Sequence, residues 1–198
     1  WSSDVCSSDL LANADIVRVV AQKIKEHGIQ KFVCDPVMVA KGGALLIAEE
    51  AQQTLIQELL PLAFVVTPNI PEAEVLSSII ISTVGDMKKA ARIIYDHGVK
   101  NVVIKGGHLA GGTKYGAVDV LYDGHRYYEF TSPWIPTKDT HGTGCTFSAA
   151  LATGLASGKS LLEGVQAAKA YITEAIRYSL RIGAGHGPTN HFAPMSRE

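Results

Sequence analysis

The spacing of apolar positions changes along this chain, and the changes outline its elements. From Asn13, the residues Ile16, Val17, Val20 and Ile24 recur at helical spacing, with Asn13 suited to the N-cap and Gly28 to the stop. The short run Lys31-Phe-Val-Cys34 reads as a buried parallel strand closed by Asp35-Pro36. A loop with Gly42 and Gly43 leads to a second helix over roughly 48–60, with Leu55, Ile56, Leu59 and Leu60 inward and Pro61 after it. Ala63-Phe-Val-Val66 is the next strand, ending in Thr67-Pro68-Asn69, and Asn69 can cap a helix that Pro71 begins. Asp86 starts a helix with Met87, Ala90, Ala91 and Ile94 on one face, stopped by Gly98. Asn101–Lys105 is a third strand, running into Gly106-Gly107.

The rhythm then shifts to two strands, Gly116–Tyr122 and His125–Phe130, joined at Asp123-Gly124, a dipeptide suited to a type I′ turn. A polar, Pro-containing loop reaches a Gly-rich turn and two long helices, about 143–157 and 160–181. Helix–strand alternation with short buried strands predicts one α/β domain, its mostly parallel sheet covered on both faces. Residues 1–10 (WSSDVCSSDL) repeat Ser-Ser-Asp and show neither helical nor strand periodicity. They read as a non-native or disordered leader outside the fold, with the domain spanning residues 11–198.

Composition narrows the class. With 46% hydrophobic and 19% charged residues among 198, the chain can bury a sizeable core, which excludes disorder. Eighteen basic against 19 acidic residues, with no basic block, exclude a dedicated nucleic-acid binder. No apolar run approaches the ~18 residues of a membrane span. Three widely spaced cysteines, Cys6, Cys34 and Cys145, argue against a disulfide framework. These features predict a soluble, cytoplasmic protein without a membrane partner.

Ligands of open α/β sheets bind beyond the carboxyl ends of the strands. The unusual polar residues fall there each time: Asp35, then Thr67, Asn69 and Glu72, then Lys105 and His108. The strongest signal is Thr140-His-Gly-Thr-Gly-Cys-Thr146. Gly142 and Gly144 permit a tight turn, so backbone N–H groups converge where a helix begins at Thr143, an arrangement suited to phosphate oxygens. Cys145 sits in the first turn, where the same field lowers a thiol pKa. Close helix–sheet packing is the plainer reading of such glycines, and buried cysteine is often a small hydrophobe. Asn69 and Glu72 read either as a helix cap or as groups facing Mg²⁺ and phosphates. Asp35 is a turn former or an acid in that neighbourhood, and Lys105 pairs with a carboxylate or with phosphate. A cysteine hydrolase built from Cys145, His141 and Asp139 is disfavoured because His141 lies on the same turn as the cysteine. His186 and His191 lack the accompanying ligands of a zinc site.

These segments resemble a known family. Asp35-Pro-Val-Met-Val39, Thr67-Pro-Asn-Ile-Pro-Glu-Ala-Glu74, Lys105-Gly-Gly-His108, Val118-Asp-Val-Leu-Tyr122, the Thr140–Thr146 segment and Gly185-His-Gly-Pro-Thr-Asn-His191 occur in that order. Together they resemble the hydroxymethylpyrimidine/phosphomethylpyrimidine kinases of thiamine biosynthesis, in the ribokinase-like superfamily. Most sugar kinases of that superfamily place Asp where this chain has Cys145. The resemblance implies a three-layer αβα sheet, incomplete at its N-terminus, and MgATP-dependent phosphorylation of an aminopyrimidine alcohol and then of its monophosphate. It implies that Cys145 stands beside the acceptor oxygen and that Gly142, Thr143, Gly144 and Cys145 form the anion hole. It further implies that Asp35 and Glu72 serve magnesium, Asn69 and Lys105 the ATP phosphates, Val37 the pyrimidine, and the helix around Ala168 and Lys169 the nucleotide. A homodimer is implied too. A Gly-Ser-Asp-Ser-Ser-Gly-Gly-Ala-Gly type opening and a Lys-Thr-Gly-Met stretch, usual in the family, are absent before Leu11. The resemblance thus covers the C-terminal two-thirds of such an enzyme, and a weakly active or inactive chain with an exposed sheet edge is expected. Pyridoxal kinase of the same superfamily and a non-catalytic nucleotide-binding fragment are the rival readings.

Overall fold

A computed structural model describes residues 4–8, 11–38, 46–107, 109, 116–180, 182 and 185–193. Gly42, Gly43, Val39 and His108 lie outside the described residues. Six strands form one sheet in sequential order: β1 (Val5–Ser8), β2 (Lys31–Cys34), β3 (Val65–Val66), β4 (Val102–Ile104), β5 (Ala117–Tyr122) and β6 (Tyr127–Ser132). Strands β1 to β4 are parallel, while β5 and β6 add an antiparallel hairpin at the far edge.

Residue alternation along each strand explains the three layers. Phe32, Cys34, Val66, Val102, Ile104 and Val120 face one way, into a core shared with helices α1 (Ala14–Glu26), α2 (Glu49–Thr54), α3 (Ile70–Ser77) and α4 (Val84–Tyr95). Val33, Val65, Val103 and Leu121 face the other way, against α5 (Thr143–Ala156) and α6 (Leu161–Arg177). The short strands have no polar face because both faces are covered. The αβα fold expected from the sequence is the fold observed.

Local signals fix most boundaries. The Asn13 side chain accepts from Ile16 N–H, and Gly28 stops α1 at φ +60°. Several expectations need correction. Val5–Ser8 is an edge strand, paired in parallel with β2 and not outside the fold; its pairing is set by β2, which no local periodicity records. The second helix continues beyond α2 through a π-turn at Leu55–Leu59 and a 3₁₀ turn at Leu60–Leu62, so Pro61 lies within it. Pro61 is tolerated because it sits in the first turn of the 3₁₀ segment. The α4 helix begins at Val84, since Thr83 accepts from Asp86 N–H as its cap. The hairpin closes through four residues, 123–126: Asp123 N–H donates to Arg126 O, and only Gly124 has positive φ, which excludes type I′. Among the described residues, no helix is long and apolar enough to cross a membrane.

Candidate active site at the carboxyl ends of the parallel strands

The ends of β2, β3 and β4 meet the N-terminus of α5. Asp35 follows β2 and is 2% exposed. Lys105 follows β4, and its Nζ lies 2.9 Å from Asp35 Oδ1. Thr67 follows β3; its hydroxyl donates to Asp35 Oδ1 at 3.4 Å and meets Ser148 Oγ of α5 at 2.8 Å. Asp35 Oδ2 is buried with no hydrogen-bond partner. A buried carboxylate oxygen left in this state is costly and rare in a purely structural role. The space beside it is held open by Gly144, where a Cβ would lie 3.2 Å from Lys105 Nζ and 3.6 Å from Asp35 Oδ2.

Gly142 caps α5 in the left-handed conformation, φ +78°, and has no side chain to satisfy the first-turn N–H groups. Thr143 Oγ1 turns back to Thr140 O and Thr146 Oγ1 to Gly142 O, so both hydroxyls brace the turn. The positive end of α5 thus adjoins the Asp35–Lys105 pair, as an anion site requires. Cys145 is exposed and in no disulfide, at the mouth of a groove of about 650 Å³ between α5 and α6. By contrast, Cys34 is buried, and burial pushes its thiol up.

Asn69 and Glu72 form a reciprocal capping box at the start of α3: Glu72 N–H donates to Asn69 Oδ1, and Asn69 N–H to Glu72 Oε2. The capping reading holds in this structure for both. Glu72 is nevertheless 2% exposed, and burial pushes its carboxyl up to about 7, against the pull of nearby Lys105. Val37 lies in the loop after β2, half-buried, its N–H on Asp35 O.

Lys169 is placed differently from the expectation. It is buried on the sheet side of α6, with Nζ 2.8 Å from Asp119 Oδ2 of β5. The face of α6 that lines the groove carries Ala167 and Tyr171, one turn apart, while Ala168 packs into the core. Helical phase separates neighbouring residues by about 100°, which is why Lys169 and Tyr171 point apart.

The C-terminal segment supplies the remaining wall. His191 Nε2 meets Thr146 Oγ1 at 3.0 Å, and Tyr171 OH donates to His191 O. Asp139 accepts from Gly187 N–H and from the Ser179 and Thr137 hydroxyls. Both of its oxygens are thereby committed to holding this segment, so the Cys145–His141–Asp139 arrangement is not assembled as a hydrolase relay. His186 binds Lys138 O instead of joining His191, and no three-ligand metal cluster exists among the described residues. The sequence reading missed Ser148 and the His191 wall. Ser148 was detectable as a polar residue between Phe147 and Leu151 on a buried helix face; the wall, formed by residues distant in sequence, was not.

Comparison with known proteins gives the family and the fold. The sequence model of the family described as phosphomethylpyrimidine kinase matches residues 5–190. The chain belongs to that family. It is 45% identical over 190 residues to the hydroxymethylpyrimidine/phosphomethylpyrimidine kinase of Bacillus subtilis, covering 96% of this chain and 69% of that protein. Among solved structures, the ADP complex of Bacillus subtilis pyridoxal kinase superposes with a TM-score of 0.90 at 42% identity, covering 98% of this chain and 72% of that one. The Staphylococcus aureus pyridoxal kinase bound to AMP-PCP and pyridoxal gives 0.88 at 37% identity, covering 98% and 70%. A kinase with a ribokinase-like α/β fold is therefore shown, and the family match takes in the β1 strand.

Proposed function

We propose that this kinase transfers the γ-phosphoryl group of ATP to 4-amino-5-hydroxymethyl-2-methylpyrimidine and then to its monophosphate. The observation that carries the phosphate side is the pairing of buried Asp35 with Lys105, with one Asp35 oxygen unpartnered beside Gly144 and the uncapped start of α5. Lys105 exchanges its carboxylate partner for phosphate oxygens, and the Thr143, Gly144 and Cys145 N–H groups receive charge as the phosphoryl group moves. Such a transition state is loose, so positioning and electrostatic stabilisation outweigh a strong base. Cys145 stands at the acceptor hydroxyl, the groove between α5 and α6 holds the nucleoside, and Val37 borders the pyrimidine. Asn69 reaches the phosphate region only through the helix start it caps.

Magnesium fits the donor set. The partnerless Asp35 Oδ2 and the buried Glu72 offer two carboxylates, and this ion is commonly held by one or two carboxylates together with substrate phosphates and water. Bound there, it would neutralise phosphate charge. Lys169, tied to Asp119 and off the groove, acts on the site through that carboxylate. A cytoplasmic homodimer completes the proposal, and sedimentation equilibrium tests its assembly.

Pyridoxal phosphorylation is the second reading, favoured by the two pyridoxal kinases whose structures superpose so well. The deciding assay measures ATP-dependent phosphorylation of the pyrimidine alcohol against pyridoxal. It uses this chain and one extended by a family-like N-terminal segment, each with and without Cys145→Ala. Pyrimidine turnover that Cys145→Ala lowers by roughly 10²-fold is expected. Preferential turnover of pyridoxal would replace the main reading. No transfer by either chain, with ADP still bound, would leave a nucleotide-binding module.

A further inference from the structure

The Val118–Tyr122 strand segment lines no part of the groove, yet Asp119 within it is a charged residue only 3% exposed. Its neighbours Val118, Val120 and Leu121 are apolar and buried, so the strand pattern alone gives no reason for an acid there. The antiparallel register Ile104↔Val120 brings Asp119 level with the residue after Ile104, which is Lys105. Asp119 Oδ1 accepts from Gly106 N–H at 2.9 Å, and Oδ2 pairs with Lys169 at 2.8 Å. Lys105 is therefore gripped on both sides. Its own N–H donates to Pro68 O at 2.8 Å, and the peptide that follows it is held by Asp119. Gly106 lies so flat on β5 that a Cβ would stand 2.0 Å from Val118 O.

We propose that Asp119 is a positioning residue for phosphoryl transfer: it fixes the peptide after Lys105, and with it the direction of the lysine, while Lys169 supplies the counter-charge Asp119 needs at that depth. This rests on the phosphate role of Lys105 proposed above. The chain of contacts runs from α6 through β5 to the end of β4, so a buried ion pair away from the groove sets the aim of a side chain inside the site. Lys169 thus matters to the site only while Asp119 carries its charge, and is dispensable where that charge is removed. A charge-assisted hydrogen bond to a backbone N–H is the strong, directional kind suited to this task.

The test uses the whole chain with three variants: Asp119→Ala, Asp119→Asn, and Asp119→Asn combined with Lys169→Met. ADP binding with magnesium is read by calorimetry, and exchange of the Gly106 amide by NMR. Asp119→Ala is expected to weaken ADP roughly tenfold and to expose the Gly106 amide to exchange. The double variant keeps an acceptor for Gly106 and removes the stranded lysine charge. It is expected to stay within about threefold of the parent with the amide protected, which a general loss of stability would not produce. The crystal structure of Asp119→Ala reads the same question without ligand: Lys105 Nζ leaves Asp35 if the proposal holds. Should Asp119→Ala fail to fold, the double variant decides alone, and ADP weakened about tenfold there despite a protected Gly106 amide overturns the proposal. Asp119→Ala that folds, binds ADP like the parent and keeps Lys105 2.9 Å from Asp35 also overturns it. A parent chain that fails to bind ADP would instead strike the nucleotide reading, and the Lys105 position in the variant crystal would still decide the positioning claim.

Discussion

The two ends of the parallel strands β2 to β4 are built from the same backbone and differ in how they treat buried polar groups. At the amino ends, the chain enters through glycine stops, Gly28 at φ +60° and Gly98 at φ +96°, and the buried Asn101 donates to Phe64 O at 2.7 Å. At the carboxyl ends, Asp35, Thr67, Glu72 and Lys105 crowd together, one Asp35 oxygen has no partner, and burial pushes the Glu72 carboxyl up. One end uses its buried amide to tie neighbouring strands together; the other holds its polar groups poised for something that must arrive. An unpartnered carboxylate oxygen beside a lysine and the start of a helix is the arrangement that an arriving ligand completes.

Lys105→Ala should show the contrast at its largest. Loss of the cation strands Asp35 at depth, costing about 3 kcal/mol in urea denaturation, and lowers phosphoryl transfer by roughly 10³-fold in a coupled ADP-release assay. Transfer within a few-fold of the parent would remove Lys105 from the site. Gly144→Ala separates function from stability more cleanly. Its methyl group fills the space beside Lys105 and Asp35, so turnover should fall by about 10²-fold, while alanine in the helix changes stability by no more than about 1 kcal/mol by thermal melting. An active Gly144→Ala enzyme would mean that the space beside Asp35 is not used.

Glu72→Gln tests the strain at the carboxyl ends through pH. A carboxyl raised to about 7 in the fold, from an ordinary 4.5, binds more protons folded than unfolded between those values. Stability is therefore lost as pH rises from about 4.5 to 7, and stays lost above it. Glutamine keeps the capping box and lacks the charge, so the variant should gain roughly 3 kcal/mol at pH 8 and almost nothing at pH 4. Denaturant titrations at the two pH values check this, and an equal effect at both would refute it. At the other end of the strands, Asn101→Ala should cost only about 1–2 kcal/mol by the same titration and leave turnover per folded molecule unchanged. A turnover defect there would erase the distinction between the ends.

Residues whose structural partners lie within a few positions were legible in the sequence. Asn13 and Asn69 announced their helices because a cap acts within three residues, and Gly28 and Gly98 announced the stops for the same reason. Asp35, Asn69, Glu72, Lys105 and the Thr140–Thr146 turn were legible as a group because each follows a strand or opens a helix at the same end of the sheet. Extending the strand over Ala63–Val66 failed at its first half, since only Val65 and Val66 find ladder partners. The Asp123-Gly124 turn failed because the register Tyr122↔Tyr127 leaves four residues between the strands, not two.

What the sequence determined, then, was the order of elements, the layering implied by its buried short strands, and the corner of the sheet where the polar residues collect. All of these follow from period, caps and turn residues, which are local. Tertiary structure alone decided that Val5–Ser8 completes an edge, that Lys169 turns inward to Asp119, that His191 walls the groove, and that Asp35 keeps one oxygen without a partner. Each of those depends on which distant segment lies opposite, and pairing across the sheet is set by packing and burial over the whole domain.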